Sequence, residues 1–466
     1  MNFDEIRSLV QADLERRLKE LPLEIRSWRA LISSTPVDGW GIHTSQIMAL
    51  GDMMDGLTAR QQTRFAELRN KEAQSDFADA YYDLLNDVGG THDLWRIFRI
   101  ILDQRQNARL KPLADVSDLV AQDCYLTALR RALGWGVIAA DEFRPPPLTF
   151  LESSLTPATA SRGETIETLG FSVRQYRDLM LPLPIVLYPV DQAASMWSMS
   201  SIAHEVGHNL DHDLAPRQGK RLSDEFRKLL IGLVDDAREP QWRRWMNEIF
   251  ADGVAVALCG SGYVTCMANW VIGLAPGAAF REFDSRAVHP PLFLRLRILG
   301  FMLQCTGTPR APEGKEIVEL CDLQNRPGWE APYENEAAAV AKLVIATPFA
   351  PLNNHAIIEL SDDLSTDEDQ VSKLADFFLR VQSPRPDPKQ WKNRLRAVPA
   401  AAARAAAGLV SPTATALDEL QSKAAKYFAA IPPPEKLAGG SKDRMKELIA
   451  QLRFGGVRAT KEENEP

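Results

Sequence analysis

The sequence predicts a mostly helical α+β fold, with a small sheet beside one functional helix and helical extensions at both ends. Three observations predict it. Apolar residues recur at helical spacing through residues 6–21, 94–102 and 242–259. Two short apolar runs, 147–152 and 183–189, are the strand candidates. Between them and the longest apolar helix lies the string His204-Glu-Val-Gly-His208, on a stretch where Ile202, Val206 and Leu210 form a helical apolar stripe.

Taken in order, residues 1–145 read as a helical N-terminal region, with breaks expected at Pro36-Val-Asp-Gly39 and at Gly89-Gly90. The triplet Pro145-Pro-Pro147 marks the boundary to a central segment, 146–310. Within it, the run 183–189 carries prolines at both ends, which predicts an exposed edge strand able to pair with an extended peptide. Tyr188 in that run is expected to pack rather than to reach a cleft. The interval 209–247 holds Pro216, Gly219 and mixed charges from Arg217 to Lys228, an inserted loop and helix placed where they could cap a cleft.

Residues 253–280 form 28 positions without a charge, long enough to span a bilayer. Gly260-Ser-Gly262 divides them, so two buried helical segments joined by a turn are expected instead. Residues 311–454 read as a second helical region, including 367–381, a stiff linker at Pro384-Arg-Pro386-Asp-Pro388 and a helix-prone alanine-rich stretch from 399 to 408. Residues 455–466 read as a disordered tail.

Hydrophobic residues at 45% and charged residues at 25% are those of an ordinary soluble protein. A net charge of −8 disfavours nucleic acid as a partner. Five cysteines without a CxxC pair suit a reducing compartment, and the charged N-terminal residues lack an apolar signal core. The expectation is a cytoplasmic protein without a membrane span.

The chemistry concentrates at 204–208. On a helix, His204 and His208 are one turn apart and can hold one Zn²⁺ between them, while Glu205 can reach a zinc-bound water as general base. Three of the seven histidines fall within 204–212. A catalytic zinc takes three protein ligands and leaves a fourth position for water. Asp211 and Leu214 stand where a metzincin would have its glycine and third histidine. His212 lies a further turn along the axis, too far to share the ion without bending the helix, and reads as an outer or merely polar residue. Glu248 and Asp252 share a helical face among Phe250, Ala251, Val254 and Val256. One can supply a carboxylate to the metal, with Glu248 preferred, while the other accepts the free N–H of a ligating histidine.

The three blocks His204-Glu-Val-Gly-His208, Asn247-Glu-Ile-Phe-Ala-Asp252 and His289-Pro-Pro-Leu-Phe-Leu-Arg295 resemble, in this order, the gluzincin metallopeptidases. Among them they look most like the CAAX-prenyl-endopeptidase-like family, which shows Glu-x-x-Ala-Asp and then a His-Pro segment with an arginine six residues after the histidine. The resemblance covers residues 180–300, about a quarter of the chain. It implies a zincin-like core with one zinc per chain, held by His204, His208 and Glu248. It implies Glu205 as base, Asp252 as the residue orienting a ligand, His289 as oxyanion stabiliser and Arg295 as a brace. The activity implied is hydrolysis of a peptide or protein substrate by a selective or regulated soluble endopeptidase. The chain departs from the family in lacking an expected membrane span, and its 208-to-248 interval is about double that of thermolysin-like enzymes. The rival expectation is a helical interaction or scaffold protein with a structural or vestigial zinc site, against which the intact Glu205 speaks. Hydrolysis of another amide is a third.

Overall fold

The computed structural model describes residues 2–34, 43–139, 144–171, 176, 178–215, 220–274, 283–322, 330–361, 364–380, 383–391, 394–409 and 413–432. The expected break at 36–39 and the tail at 455–466 lie outside these residues. Long helices open the chain: α1 (Phe3–Ser34), α2 (Thr44–Arg69), α3 (Gln74–Asp103) and α4 (Lys111–Gly134). Next come β1 (Leu148–Glu152), β2 (Ala158–Ala160) and β3 (Ile185–Pro189), then a short α5 (Val190–Ala193). The central helices are α6 (Ile202–Asp213), α7 (Leu222–Lys228), α8 (Glu239–Leu274) and α9 (Leu292–Cys305). The chain continues through α10 (Ala311–Asp322), α11 (Glu330–Ala346), α12 (Leu364–Leu379), α13 (Ala397–Ala407) and α14 (Ala414–Ala429). The molecule is thus mostly helical with a small three-stranded sheet, as the apolar periodicity predicts.

The sheet order is β1-β3-β2, with β1 parallel and β2 antiparallel to β3. The run 183–189 is therefore the central strand, not the exposed edge expected from its prolines. Every residue of β3 is buried. Ile185 and Leu187 join a core formed with α1, α2 and α3, whereas Val186 and Tyr188 join the large core on the opposite face. An uninterrupted apolar run is what a strand covered on both faces requires. Pro184 precedes the ladder and Pro189 closes it, so neither proline removes an internal bond.

The two outer strands differ. The outer edge of β1 is closed by side chains from the turn after α3 and from α4. Gln104 Nε2 donates to the Leu151 carbonyl (2.6 Å), and its Oε1 accepts from the Leu151 N–H (2.9 Å). Asp118 accepts from the Thr149 N–H (2.8 Å), and Arg105 donates to the Thr149 carbonyl. Side chains here do what a fourth strand would do, satisfying an edge that would otherwise be buried without partners.

The large core draws on α4, α6, α8, α9 and α11 to α14, so helices both before and after the sheet contribute to it. Two departures from the sequence expectation are local. The pair Gly89-Gly90 does not break α3, which runs unbroken from Gln74 to Asp103. A mid-helix glycine costs about 1 kcal/mol, and the buried Leu84, Val88, Thr91, Leu94 and Trp95 on either side outweigh it. The segment expected as a stiff linker packs instead: Tyr427 donates to the Pro386 carbonyl (3.2 Å), and the Arg385 guanidinium lies 5.8 Å from the same ring.

The described part of the uncharged stretch, residues 253–274, falls in α8, which bends at Gly260 (φ 56°, ψ −138°). The portion Glu239–Val271 is long and apolar enough to cross a membrane, but 94% of its apolar window is buried inside the protein. The bend is held from outside the helix. Glu368 of α12 accepts from the Ser261 N–H and from Ser261 Oγ (2.7 Å), and Arg404 of α13 donates to the same hydroxyl. A side chain at Gly260 would collide with that carboxylate, and one at Gly262 would collide with Ala400 of α13. The alanine-rich stretch is thus a buried helix whose small side chains permit close approach.

Candidate metal centre

Helix α6 is positioned by its apolar stripe: Ile202, Val206 and Leu210 are wholly buried in the large core. Its fixed point against α8 is Gly207. A Cβ there would lie 2.8 Å from both the Cα and the carbonyl oxygen of Ala251, so only glycine permits this approach. Ala251 is adjacent to Asp252 and three residues from Glu248. The close crossing therefore places the α8 carboxylates against the α6 histidines.

Three ligand-type side chains converge. His204 Nε2 and His208 Nε2 are 3.1 Å apart. Glu248 Oε2 is 3.2 Å from His204 Nε2, and Oε1 is 3.5 Å from His208 Nε2. Ligands about 2.0–2.1 Å from a tetrahedral zinc are separated by roughly 3.3–3.4 Å, and the two ring nitrogens and the two Glu248 oxygens are spaced on that order. Among the described residues this is the one group of histidine, cysteine and carboxylate ligands close enough to share an ion. Glu248 Oε2 is also buried without a hydrogen bond of proper geometry, although nitrogens surround it. The residues present fit zinc.

Behind the donors lies a polar support. Asp252 Oδ1 is 2.9 Å from His204 Nδ1, which directs the other ring nitrogen toward Glu248 and His208. Arg295 of α9 grips Asp252 with two parallel bonds, Nε to Oδ2 (2.8 Å) and Nη2 to Oδ1 (2.7 Å). Tyr263, beyond the bend in α8, donates to the same Oδ1 (2.6 Å), and its ring plane is parallel to that of His204. His289 stands at the exposed rim, 56% of its side chain accessible, with Nε2 3.3 Å from Glu248 Oε2.

The electrostatics favour a cation. Glu205, Glu248 and Asp252 are all buried, and the buried Arg295 contacts Asp252 (2.7 Å) and lies 3.8 Å from Glu248. Three carboxylates against one guanidinium leave a deficit of two positive charges when all three ionise. Burial pushes the Glu205 carboxyl up to about 7, opposed by His204. Burial also drives His208 down to about 3. Burial and Arg295 act the same way on His204, yet the Asp252 and Glu248 carboxylates hold its imidazole up to about 9. Burial opposes ionisation of Glu248 and Asp252, but their cationic neighbours hold both well below the usual carboxylate range. A proton trapped on His204 fills in part the place that a divalent cation fills fully.

The structure thus brings His204, Glu205, His208, Glu248, Asp252, His289 and Arg295 into one cluster. It does not bring His212, whose nearest carboxylate is Glu164 at 3.8 Å. Within the interval 209–247, the described α7 packs onto the same helices. Ser223 of α7 donates through its N–H and Oγ to Asp211 (both 2.7 Å), and Arg227 donates to Asn247 (2.6 Å). Tyr188 is wholly buried and donates to the Ser198 carbonyl (2.9 Å). Sequence reasoning missed Tyr263 and the role of Gly207. No local spacing signals Tyr263: eleven residues span about 16 Å along a straight helix, and it meets Asp252 across the bend at Gly260. Comparisons of the chain with protein-family models, curated proteins and solved structures return no match.

Proposed function

We propose that the protein is a zinc-dependent peptidase of the gluzincin type, with a zincin-like core made of the sheet, α6 and α8. The observation that carries this reading is the convergence of His204 Nε2, His208 Nε2 and the Glu248 carboxylate, with Glu205 buried at the next position of α6. A purely structural zinc site has no use for that extra carboxylate. The ordered likeness to the CAAX-prenyl-endopeptidase-like motifs supports the same reading, since all three blocks contribute side chains to one cluster.

His204, His208 and Glu248 would hold the ion. Zinc bound there supplies Lewis acidity to a scissile carbonyl and makes water nucleophilic near neutral pH. Glu205 takes the proton from the attacking water and delivers it to the leaving amine nitrogen. His289, at the rim, donates to the developing oxyanion. Asp252 keeps the proton of His204 on Nδ1, and Arg295 keeps Asp252 in place. An extended substrate pairs with β2, the edge strand beside α6, where Thr159 donates to Asn209 (3.1 Å). The β1 edge is already closed by side chains.

The test is zinc per chain, measured by elemental mass spectrometry on the purified protein and on Glu248→Ala. About one zinc per parent chain, largely lost in the variant, is the expected outcome. A parent that neither carries nor takes up zinc overturns the reading and leaves a helical interaction protein. Zinc retained by the variant removes Glu248 from the ligand set.

A further inference from the structure

Tyr263 lies outside the three motif blocks, yet it is wholly buried and bonded to the residue that orients a ligand. Its hydroxyl donates to Asp252 Oδ1 at 2.6 Å, the oxygen that also meets His204 Nδ1 at 2.9 Å and Arg295 Nη2 at 2.7 Å. The backbone carrying Tyr263 is fixed on the N-terminal side. The Ser261 N–H is bonded to Glu368, and Gly262 packs directly on Ala400. The bend at Gly260 re-aims the second half of α8, and Tyr263 is in the first turn after it. We infer that Tyr263 is a positioning residue of the metal centre: its hydroxyl fixes the Asp252 carboxylate, which in turn fixes the tautomer and ring angle of His204.

The inference rests on the zinc reading and adds to it a residue that touches neither ion nor substrate. Asp252 Oδ1 has three donors, and each constrains the direction of the others. Removing the hydroxyl leaves Arg295 and His204 to set the carboxylate alone, with a vacant acceptor direction in a buried site. The ring of Tyr263, parallel to that of His204 with centroids 6.3 Å apart, stays in place in a phenylalanine variant.

The experiment compares the parent with Tyr263→Phe, Tyr263→Ala and the remote control Tyr427→Phe. Zinc affinity is read by competition with a chromophoric chelator, and site geometry by the visible spectrum of the Co²⁺-loaded protein. Tyr263→Phe is expected to weaken zinc roughly 10- to 100-fold and to shift the Co²⁺ bands, with Tyr427→Phe unchanged in both. A residue that only packs would lower the stability of zinc-free and zinc-loaded protein equally and leave the affinity untouched. Parent-like affinity and spectrum in Tyr263→Phe therefore overturn the inference while leaving the zinc reading intact. A parent that binds no zinc overturns both. Should the variants fail to fold, 3-fluorotyrosine at position 263 reads the same contact in the folded protein. Its ¹⁹F resonance moves during zinc titration if the hydroxyl is linked to the site, and a stationary resonance overturns the inference.

Discussion

Two buried clusters in this protein use the same three residue types to opposite ends. In the first, Arg105, just after α3, binds Asp118 of α4 through Nε (3.0 Å) and Nη2 (2.9 Å), and His43 Nε2 lies 3.5 Å from the same carboxylate. In the second, Arg295 binds Asp252 in the same forked manner, and His204 Nδ1 lies 2.9 Å away. Asp118 is balanced by one arginine and saturated by the N–H and hydroxyl of Thr149. Burial there, partly offset by Asp118, pushes His43 down to about 4. Around Asp252, two further buried carboxylates, Glu205 and Glu248, converge, and among the described residues Arg295 is the buried arginine bonded to the cluster. An Asp-Arg-His trio is thus a structural knot when its charges cancel, and on the proposed reading it supports a cation when carboxylates are in surplus.

Breaking the base of the second cluster should have the largest effect. Glu205→Gln is expected to retain zinc and to lose roughly 10²–10⁴ in kcat, measured on any cleaved peptide with zinc content checked in parallel. Near-normal turnover would remove Glu205 from the role. Breaking the first cluster separates the two functions. Asp118→Ala leaves Arg105 buried without its partner and should cost about 3–5 kcal/mol of stability in denaturant unfolding. Zinc stoichiometry of the folded fraction should not change, and a parallel loss of zinc would mean the clusters are coupled.

The knot also predicts a pH dependence. The folded pKa of His43 is depressed from 6.5 to about 4, so the unfolded chain binds the extra proton between these values. Its contribution is complete above about pH 6.5 and is lost as pH falls toward 4, of order 3 kcal/mol. His43→Gln should flatten the fall in stability across that window, and an unaltered slope would place the acid sensitivity elsewhere. The smallest expected change is at the helix crossing. Gly207→Ala should cost about 1–3 kcal/mol through overpacking against the Ala251 backbone. Because α6 and α8 must separate, zinc affinity should fall as well. A stable variant with parent-like affinity would show that the crossing has slack.

Much of the site was legible because its signals are local. Two histidines at i and i+4, and two carboxylates at i and i+4, share faces on any helix that forms, and the apolar stripes ensured that both helices form. The bend at Gly260-Ser-Gly262 was legible for the same reason. The errors arose where a local rule met a packing environment. Flanking prolines marked 183–189 as an edge, whereas its unbroken apolar character already required cover on both faces. Gly89-Gly90 read as a break, yet burial of the flanking turns holds α3 continuous.

The sequence by itself determined which side chains are available for chemistry and which helix face carries them, because periodicity and composition act over one or two turns. Only the tertiary structure decided that the α6 and α8 faces meet. That meeting depends on a glycine at the crossing and on a core built from helices before and after the sheet. The same holds for Tyr263, which reaches Asp252 because Glu368 and Ala400, more than a hundred residues away, hold the bend in α8. Contacts of that separation leave no period in the sequence; they are set by packing, where volume and charge must balance across elements that never neighbour one another along the chain.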